Sequence, residues 1–427
     1  MTPYNKPDTR KIRMNEMIDR GRLQVQCFDA NLGIPLSDVN VLVMSRLNSY
    51  LIAQISTNSS GRTQEISLPT PPLEYSLAPG FPQPFSTYDI IATREDLDII
   101  IVEGVQVFPE TTAIQNINLR QRKYSYETSR TLFVPYPVLW GNFPPKIPES
   151  AIKELPPSSG FVVLSEPVIP ETIIVHDGVP SNFSATNYYV PFKDYIKNVA
   201  SSEIYCTWSS NTIQANVLAI LSFTLNRVYT EWYRNKGFDF TITNSTAYDQ
   251  AFSYGRTIFE EIAYVVDEIF TTYITKPNIR QPLLAQYCDG QRVSCPDWLN
   301  QWGSKNMGEQ GYSPIDILRY YYGSEVYLAQ AQIVEGIPQS FPGVNLLSGS
   351  AGGAVRTIQE QLNRISDNYP AIPKIRVDGI FKETTEDAVK RFQEIFQLPV
   401  TGIVDFATWY SISNIYVAVT KIGELTP

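Results

Sequence analysis

Glu203 closes the run Tyr195-Ile196-Lys197-Asn198-Val199-Ala200-Ser201-Ser202-Glu203. Tyr195, Ile196, Val199 and Ala200 recur at helical spacing, and Leu218, Leu221, Leu225, Val228 and Trp232 mark a second helical stripe. Glu203 therefore falls where one helix gives way to the next, after a Ser-Ser pair and before Ile204 and Tyr205. A carboxyl partly withdrawn from water holds its proton to higher pH, and a proton-donating carboxyl is what glycosidic bond cleavage asks for. A solvated helix-terminal Glu would occupy the same place. Ser245, Thr246, Asp249 and Gln250 lie close together and offer hydroxyl, carboxyl and amide groups that suit a sugar or, equally, the caps of strand ends. Asp249 is the natural second carboxylate if the chemistry is hydrolytic. Tyr287, in the glycine loop Tyr287-Cys288-Asp289-Gly290, can line a cleft. Gln301 adds an amide, and Trp298 and Trp302 add rings that suit either sugar stacking or the core.

The sequence holds one histidine, His176, and four cysteines, Cys27, Cys206, Cys288 and Cys295. One histidine argues against Ser-His or Cys-His nucleophilic catalysis and against a zinc amidase. Cys288 and Cys295 are close enough for a small disulfide or for two metal ligands. No cofactor and no metal is expected. A formal charge of −9 argues against nucleic acid, whose binders carry basic patches. Met1–Arg20 is polar and lacks the apolar stretch of a secretion signal, and no run of about twenty apolar residues predicts a membrane helix.

The ordered segments around Glu203 resemble the SpoIID family of sporulation peptidoglycan lytic transglycosylases. Those segments are Asp194–Arg227, Asn244-Ser245-Thr246-Ala247-Tyr248-Asp249-Gln250-Ala251-Phe252, Leu299-Asn300-Gln301-Trp302-Gly303-Ser304, and the stretch Gly311–Gly323 that opens a closing helix with Ser313 and Pro314. The resemblance covers roughly residues 176–335 and implies Glu203 as a single acid/base. It also implies that Ser245, Thr246, Asp249, Gln250, Tyr287, Gln301 and Trp302 face the glycan.

A length of 427 residues suggests about three domains, so the fold expected is multidomain α+β. Residues 1–119 read as a β-rich pro-region: Leu23, Val25 and Cys27 alternate, as do Val39, Val41 and Val43, in a pattern that resembles a transthyretin-like β-sandwich. Residues 120–175 are proline-rich and open with the basic cluster Arg120-Gln121-Arg122-Lys123, which suits either a plain linker or a processing zone. Residues 176–340 form the SpoIID-like unit.

Residues 345–420 carry two helical stripes, Val355, Ile358, Leu362, Ile365 and Ala388, Val389, Phe392, Phe396, with Thr384 and Asp387 as a capping box. The loop Val377-Asp378-Gly379-Ile380-Phe381 and the near-repeat Val400–Trp409 resemble the three-helix peptidoglycan-binding domain of wall hydrolases. The resemblance points to Asp378, Gly379, Phe381, Phe392 and Trp409. Lys382 stands where that family has Gly, and Thr401 precedes Gly402 where Asp is usual.

In this order the three parts resemble the cortex-lytic enzymes of clostridial spores. That implies a precursor made in the mother cell without a signal peptide, held in the cortex and coat region of the spore, and activated by a subtilisin-like germination protease. The substrate implied is cortex peptidoglycan, cleaved between MurNAc and GlcNAc with 1,6-anhydro ends. The alternative is a non-catalytic peptidoglycan-binding protein that enhances an amidase.

Overall fold

The computed structural model of the protein describes residues 19–30, 34–122, 129–153, 167–333, 342, 344–405 and, within 407–419, all but 410, 414, 417 and 418. The processing zone read at 120–175 lies partly outside them, at 123–128 and 154–166. The architecture is multidomain α+β: a β-sheet N-terminal region, a mixed central region and a helical C-terminal domain.

The N-terminal strands are β1 (Asp19–Asp29), β2 (Asn40–Ser45), β3 (Leu51–Ser56), β4 (Ile66–Thr70), β5 (Ser86–Thr93), β6 (Ile99–Val107), β7 (Thr112–Leu119) and β8 (Ser129–Phe133). Alternate residues face inward, as a pleated strand requires: Leu23, Val25 and Cys27 on β1, and Val41 and Val43 on β2, are buried. One sheet runs β3-β2-β5-β6-β8 and the other contains β7-β1-β4.

The central region contributes β9 (Val168–Ile169), β10 (Thr172–His176), β11 (Asn187–Pro191), α1 (Phe192–Glu203), α2 (Ser210–Tyr229), β12 (Ile242–Thr243), β13 (Ile258–Phe259), α3 (Glu260–Ile269), β14 (Thr272–Thr275), β15 (Tyr287–Cys288), β16 (Leu299–Asn300), α4 (Gln301–Glu309), α5 (Pro314–Tyr322), β17 (Tyr327–Gln330) and β18 (Gln332–Ile333). Helix α2 is its axle. It is buried nearly all round, with α1, α3, α4, α5 and β14 packed about it. Ser209 caps its start by accepting from the Thr212 amide. The helix ends at Tyr229, so Trp232, read as part of its stripe, lies beyond it.

The run from Arg256 to Phe270, where Ile258, Ile262, Val266 and Phe270 stand at helical spacing, divides. Ile258-Phe259 is a strand and only Glu260–Ile269 is helical. The reason is tertiary: Ile258 and Phe259 pair with Ile114 and Ala113 of β7, so β13 extends the N-terminal sheet. The two regions therefore share a core. Phe108 packs on Tyr205 and Phe259, each at 5.2 Å, and the Trp208 indole donates to Ser76 O at 3.0 Å. Residues 129–153, part of the stretch read as linker or processing zone, run between them with Val134, Leu139 and Lys153 buried.

The C-terminal domain holds α6 (Gly353–Asn368), α7 (Glu383–Ile395) and further helical residues at 407–409, 411–413 and 415–416. Val355, Ile358, Leu362 and Ile365 face Ala388, Val389 and Phe392 in its core. The capping box expected at Thr384 does not form: α7 starts at Glu383, behind Lys382, without a side-chain cap.

Candidate functional site

Glu203 is the last residue of α1, which stops because Ile204 takes extended geometry. The side chain is 2% exposed. Its Oε1 accepts from the Ala251 amide at 2.9 Å and from the Tyr287 hydroxyl at 3.3 Å. Its Oε2 accepts from Gln301 Nε2 at 3.5 Å. Gln301 also donates to the Glu203 carbonyl at 3.3 Å, while its own Oε1 is buried without a partner. Glu203 borders a cavity of about 50 Å³, walled by Phe143, Lys146, Thr246, Tyr287, Asp289 and Arg292 among others.

Each partner comes from a different element. Tyr287 lies on β15, which pairs with β16 in register Tyr287↔Leu299, and Gln301 opens α4 immediately after β16. Asn300 caps α4 by accepting from the Gly303 amide at 2.7 Å. The Tyr287-Gln301 couple is thus built by a two-residue strand pair and a helix start. Burial, with the charge of Glu203 adding to it, holds the Tyr287 phenol well above its ordinary range, so it acts only as a neutral donor.

Besides Arg292, two charged residues of this cavity escaped the sequence reading. Asp289 accepts from the amides of Gln291, Arg292 and Val293 at 3.0–3.1 Å and from Arg292 Nε at 2.8 Å. Burial pushes its carboxyl up, but Arg292 and those amides win and hold it below the usual range. The signal was present in Tyr287-Cys288-Asp289-Gly290, which was read for Tyr287 and its glycine and not for Asp289. The second is Lys146, from the proline-rich segment. Its ammonium donates to the Asp249 carbonyl and lies 4.9 Å from the Tyr287 ring centroid and 5.1 Å from that of Phe223. Burial lowers its basicity, with the charges of Glu203 and Asp249 opposing. No sequence signal marks it.

The other expected residues are placed as follows. Thr246 borders the Glu203 cavity. Ser245 sits in the turn before it, its carbonyl accepting from the Tyr248 and Asp249 amides. Asp249 is fully buried in a lock of its own: it accepts from Arg227 Nε at 2.7 Å, the Tyr233 hydroxyl at 2.6 Å, and the Thr243 amide and hydroxyl at 2.9 and 2.7 Å. Arg227 turns its remaining nitrogens to Glu149 at 2.5 and 3.1 Å. Burial alone would weaken that guanidinium's hold on its proton, but Asp249 and Glu149 overcome this and raise it. Gln250 is scaffold, accepting from Tyr195 at 3.0 Å and Thr224 at 2.8 Å. Trp302 is a core residue, packed on Trp208 at 5.1 Å and Tyr205 at 5.9 Å.

Cys288 and Cys295 form a disulfide that closes the Asp289 loop, and Cys27 and Cys206 are buried thiols. His176 is buried, stacked on Phe240, with Nδ1 2.8 Å from Asn187 Oδ1. Among the described residues no cluster of His, Cys, Asp and Glu is arranged to hold a metal ion, and no helix is long and apolar enough to cross a membrane.

The C-terminal domain contains one device twice. In the first copy Gln359 Oε1 accepts from the Asp378 and Gly379 amides at 3.1 and 2.8 Å, and its Nε2 donates to Asp378, Ile380 O and Thr385. In the second, Gln393 Oε1 accepts from Thr401 and Gly402 at 3.0 and 2.9 Å, and its Nε2 donates to Thr401, Ile403 O and Thr408. Gly379 and Gly402 both take φ +73°, which glycine adopts without strain. Thr401 thus fills the role of Asp378, and Lys382 pairs with Asp378 at 2.7 Å. Phe381, Phe392 and Trp409 are buried in the core.

Residues 351–412 match the peptidoglycan-binding domain family. A comparison with curated proteins gives no match. Among solved structures, the Bacillus anthracis TIE protein is similar at 13% identity, over 24% of this chain and 17% of that one, with a TM-score of 0.18. The Klebsiella pneumoniae 5-hydroxyisourate hydrolase is similar at 18% identity, over 23% and 86%, with a TM-score of 0.17. The 3-chlorocatechol 1,2-dioxygenase of Rhodococcus opacus is similar at 15% identity, over 28% and 70%, with a TM-score of 0.18. This chain thus spans less than a fifth of the first of these. The family match and the doubled loop device together make residues 351–412 a peptidoglycan-binding domain, and the protein one equipped to associate with the cell wall.

Proposed function

We propose that the protein is a peptidoglycan lytic transglycosylase of the SpoIID type, with Glu203 as its single acid/base. The observation that carries this reading is the Glu203 carboxyl, buried at a helix end and hydrogen-bonded by Ala251, Tyr287 and Gln301 at the edge of a cavity. The peptidoglycan-binding domain on the same chain supplies the matching polymer. In the reaction Glu203 gives its proton to the glycosidic oxygen of N-acetylmuramic acid as the C1–O bond breaks. The sugar's own 6-hydroxyl attacks C1, its proton passes to the carboxylate, and a 1,6-anhydro ring forms without water. The neutral Tyr287 hydroxyl and Gln301 hold the carboxyl in place through both proton transfers.

The three-part order, which resembles the clostridial cortex-lytic enzyme SleC, supports spore cortex peptidoglycan as substrate. It also supports storage in the spore and activation by a subtilisin-like germination protease during germination. The N-terminal region is then a transthyretin-like pro-region.

A second reading rests on the size of the Glu203 cavity, about 50 Å³, against the several hundred Å³ of ordinary ligand sites. A site this small suits a non-catalytic wall-binding protein that enhances an amidase. Mass spectrometry of cortex fragments released by protein cut within 154–166 separates the two. Anhydro-muramic ends establish the transglycosylase. Reducing ends mean hydrolysis and turn attention to Asp289, the other carboxylate of the cavity. Binding without cleavage, or freed peptide stems, sinks the first reading.

A further inference from the structure

One wall of the Glu203 cavity belongs to the proline-rich stretch between the two folded regions. It is fastened at both ends. On one side β8 pairs with β6, and the Pro135 carbonyl accepts from Gln106 at 2.7 Å and Arg256 at 2.8 Å. The Val138 amide donates to Ser202 O at 2.8 Å, one residue from Glu203, and Arg292 holds the carbonyls of Val138 and Gly141. On the other side Ile147 donates to Ala247 O at 2.7 Å, and Glu149 grips the buried Arg227. Between these anchors, Asn142-Phe143-Pro144-Pro145-Lys146 borders the cavity. Pro144 and Pro145 have no amide hydrogen to give, so this stretch is held by its ends and by Lys146.

Phe143 is a shared wall. On its far side lies a larger cavity of about 400 Å³, bordered also by Tyr188, Phe252 and Tyr254. Tyr188 and Tyr254 are stacked there at 4.9 Å, the kind of flat aromatic platform that suits a sugar face. The space at Glu203, about 50 Å³, is far smaller than the several hundred Å³ of ordinary ligand sites.

We propose that Asn142–Lys146 is a built-in plug: the Lys146 ammonium and the Phe143 ring fill the glycan cleft at Glu203, and its withdrawal joins the two cavities into one groove. The inference rests on reading the Glu203 cavity as the glycan site. The occupant displaced is the chain's own segment, and the occupant admitted is a glycan strand of alternating N-acetylated sugars.

The test compares the full chain with Lys146→Met and with a variant whose residues 142–146 are replaced by Gly-Ser-Gly-Ser-Gly. Carbodiimide labelling at Glu203, read by mass spectrometry, reports opening whatever the function. Binding of a (GlcNAc-MurNAc)2 tetrasaccharide is measured in the Glu203→Gln background. Both variants are expected to raise labelling at least about tenfold, a loss of roughly 1.4 kcal/mol of closure, and to bind the tetrasaccharide where the parent does not. Equal labelling in parent and variants overturns the plug. So does slower cleavage by Lys146→Met after proteolytic cutting, because Lys146 would then belong to the machinery. Increased labelling without tetrasaccharide binding leaves the plug standing and removes the glycan reading of the site. If Lys146→Met does not fold, the loop replacement carries the same comparison.

Discussion

Glu203 and Asp249 are two buried carboxylates a short stretch of structure apart, and they are built for opposite ends. Asp249 is saturated: a guanidinium, a phenol, a hydroxyl and an amide take both its oxygens, and it does not line the cavity beside Glu203. Glu203 has three neutral donors, a neighbouring amide oxygen with no partner, and open space beside it. Burial alone therefore does not mark a site. A carboxylate that is fully paired holds elements together, here α2, the turn before Asp249 and, through Glu149, the proline-rich segment. A carboxylate that keeps unused capacity next to a cavity is free to meet a ligand.

Breaking the locked carboxylate should have the largest effect. Asp249→Asn leaves Arg227 short of a buried countercharge, which costs about 3–5 kcal/mol, a large part of a typical domain's stability. Urea unfolding should show the midpoint fall; an unchanged midpoint would mean that Asp249 is not a structural lock. Glu203→Gln keeps the shape and the contact with the Ala251 amide, so stability should change by no more than about 1 kcal/mol. Glycan cleavage by the cut protein should fall by about 10²–10⁴-fold. Residual full activity would remove Glu203 as the acid.

The two tyrosines sharpen the contrast. Tyr233→Phe deletes a bond to a buried charged carboxylate and should cost about 1.5–3 kcal/mol of stability with little effect on turnover. Tyr287→Phe should do the reverse, lowering kcat several-fold while the melting temperature stays near that of the parent. If both variants lose only stability, the distinction between lock and site fails.

The smallest effect concerns Asp289. Its folded-state pKa is lowered, so its contribution is present above the unfolded value, near 3.9, and is lost as pH falls through the folded value. The stability gap between parent and Asp289→Asn should be full at pH 6 and shrink below about pH 4. A gap that is constant with pH would mean that Arg292 and the loop amides do not favour the ionised form.

Much of this was legible residue by residue. The gap between two helical stripes places Glu203 at a helix end, Ser313 and Pro314 open α5 as expected, with Ser313 accepting from the Asp316 amide at 3.3 Å, and the alternating valines mark the N-terminal strands. The near-repeat in residues 377–409 signalled two equivalent loops, which Gln359 and Gln393 then hold alike. What was not legible depends on partners distant in sequence. Ile258 fits a helical stripe with Ile262, Val266 and Phe270 by spacing, but pairing with β7 some 145 residues earlier makes Ile258-Phe259 a strand. Trp302 has the side chain of a sugar platform, but Tyr205 and Trp208 surround it.

The sequence by itself determined the local elements, the break that ends α1 at Glu203, the spacing that lets Cys288 meet Cys295, and the peptidoglycan-binding domain, because each is written in periodicity, turn residues or short motifs. Only the tertiary structure decided which carboxylate is locked and which faces a cavity, and that Lys146, from within a proline-rich stretch, borders the same cavity as Glu203. Burial and charge pairing are set by what comes from elsewhere in the chain to cover a residue, and no local pattern records that.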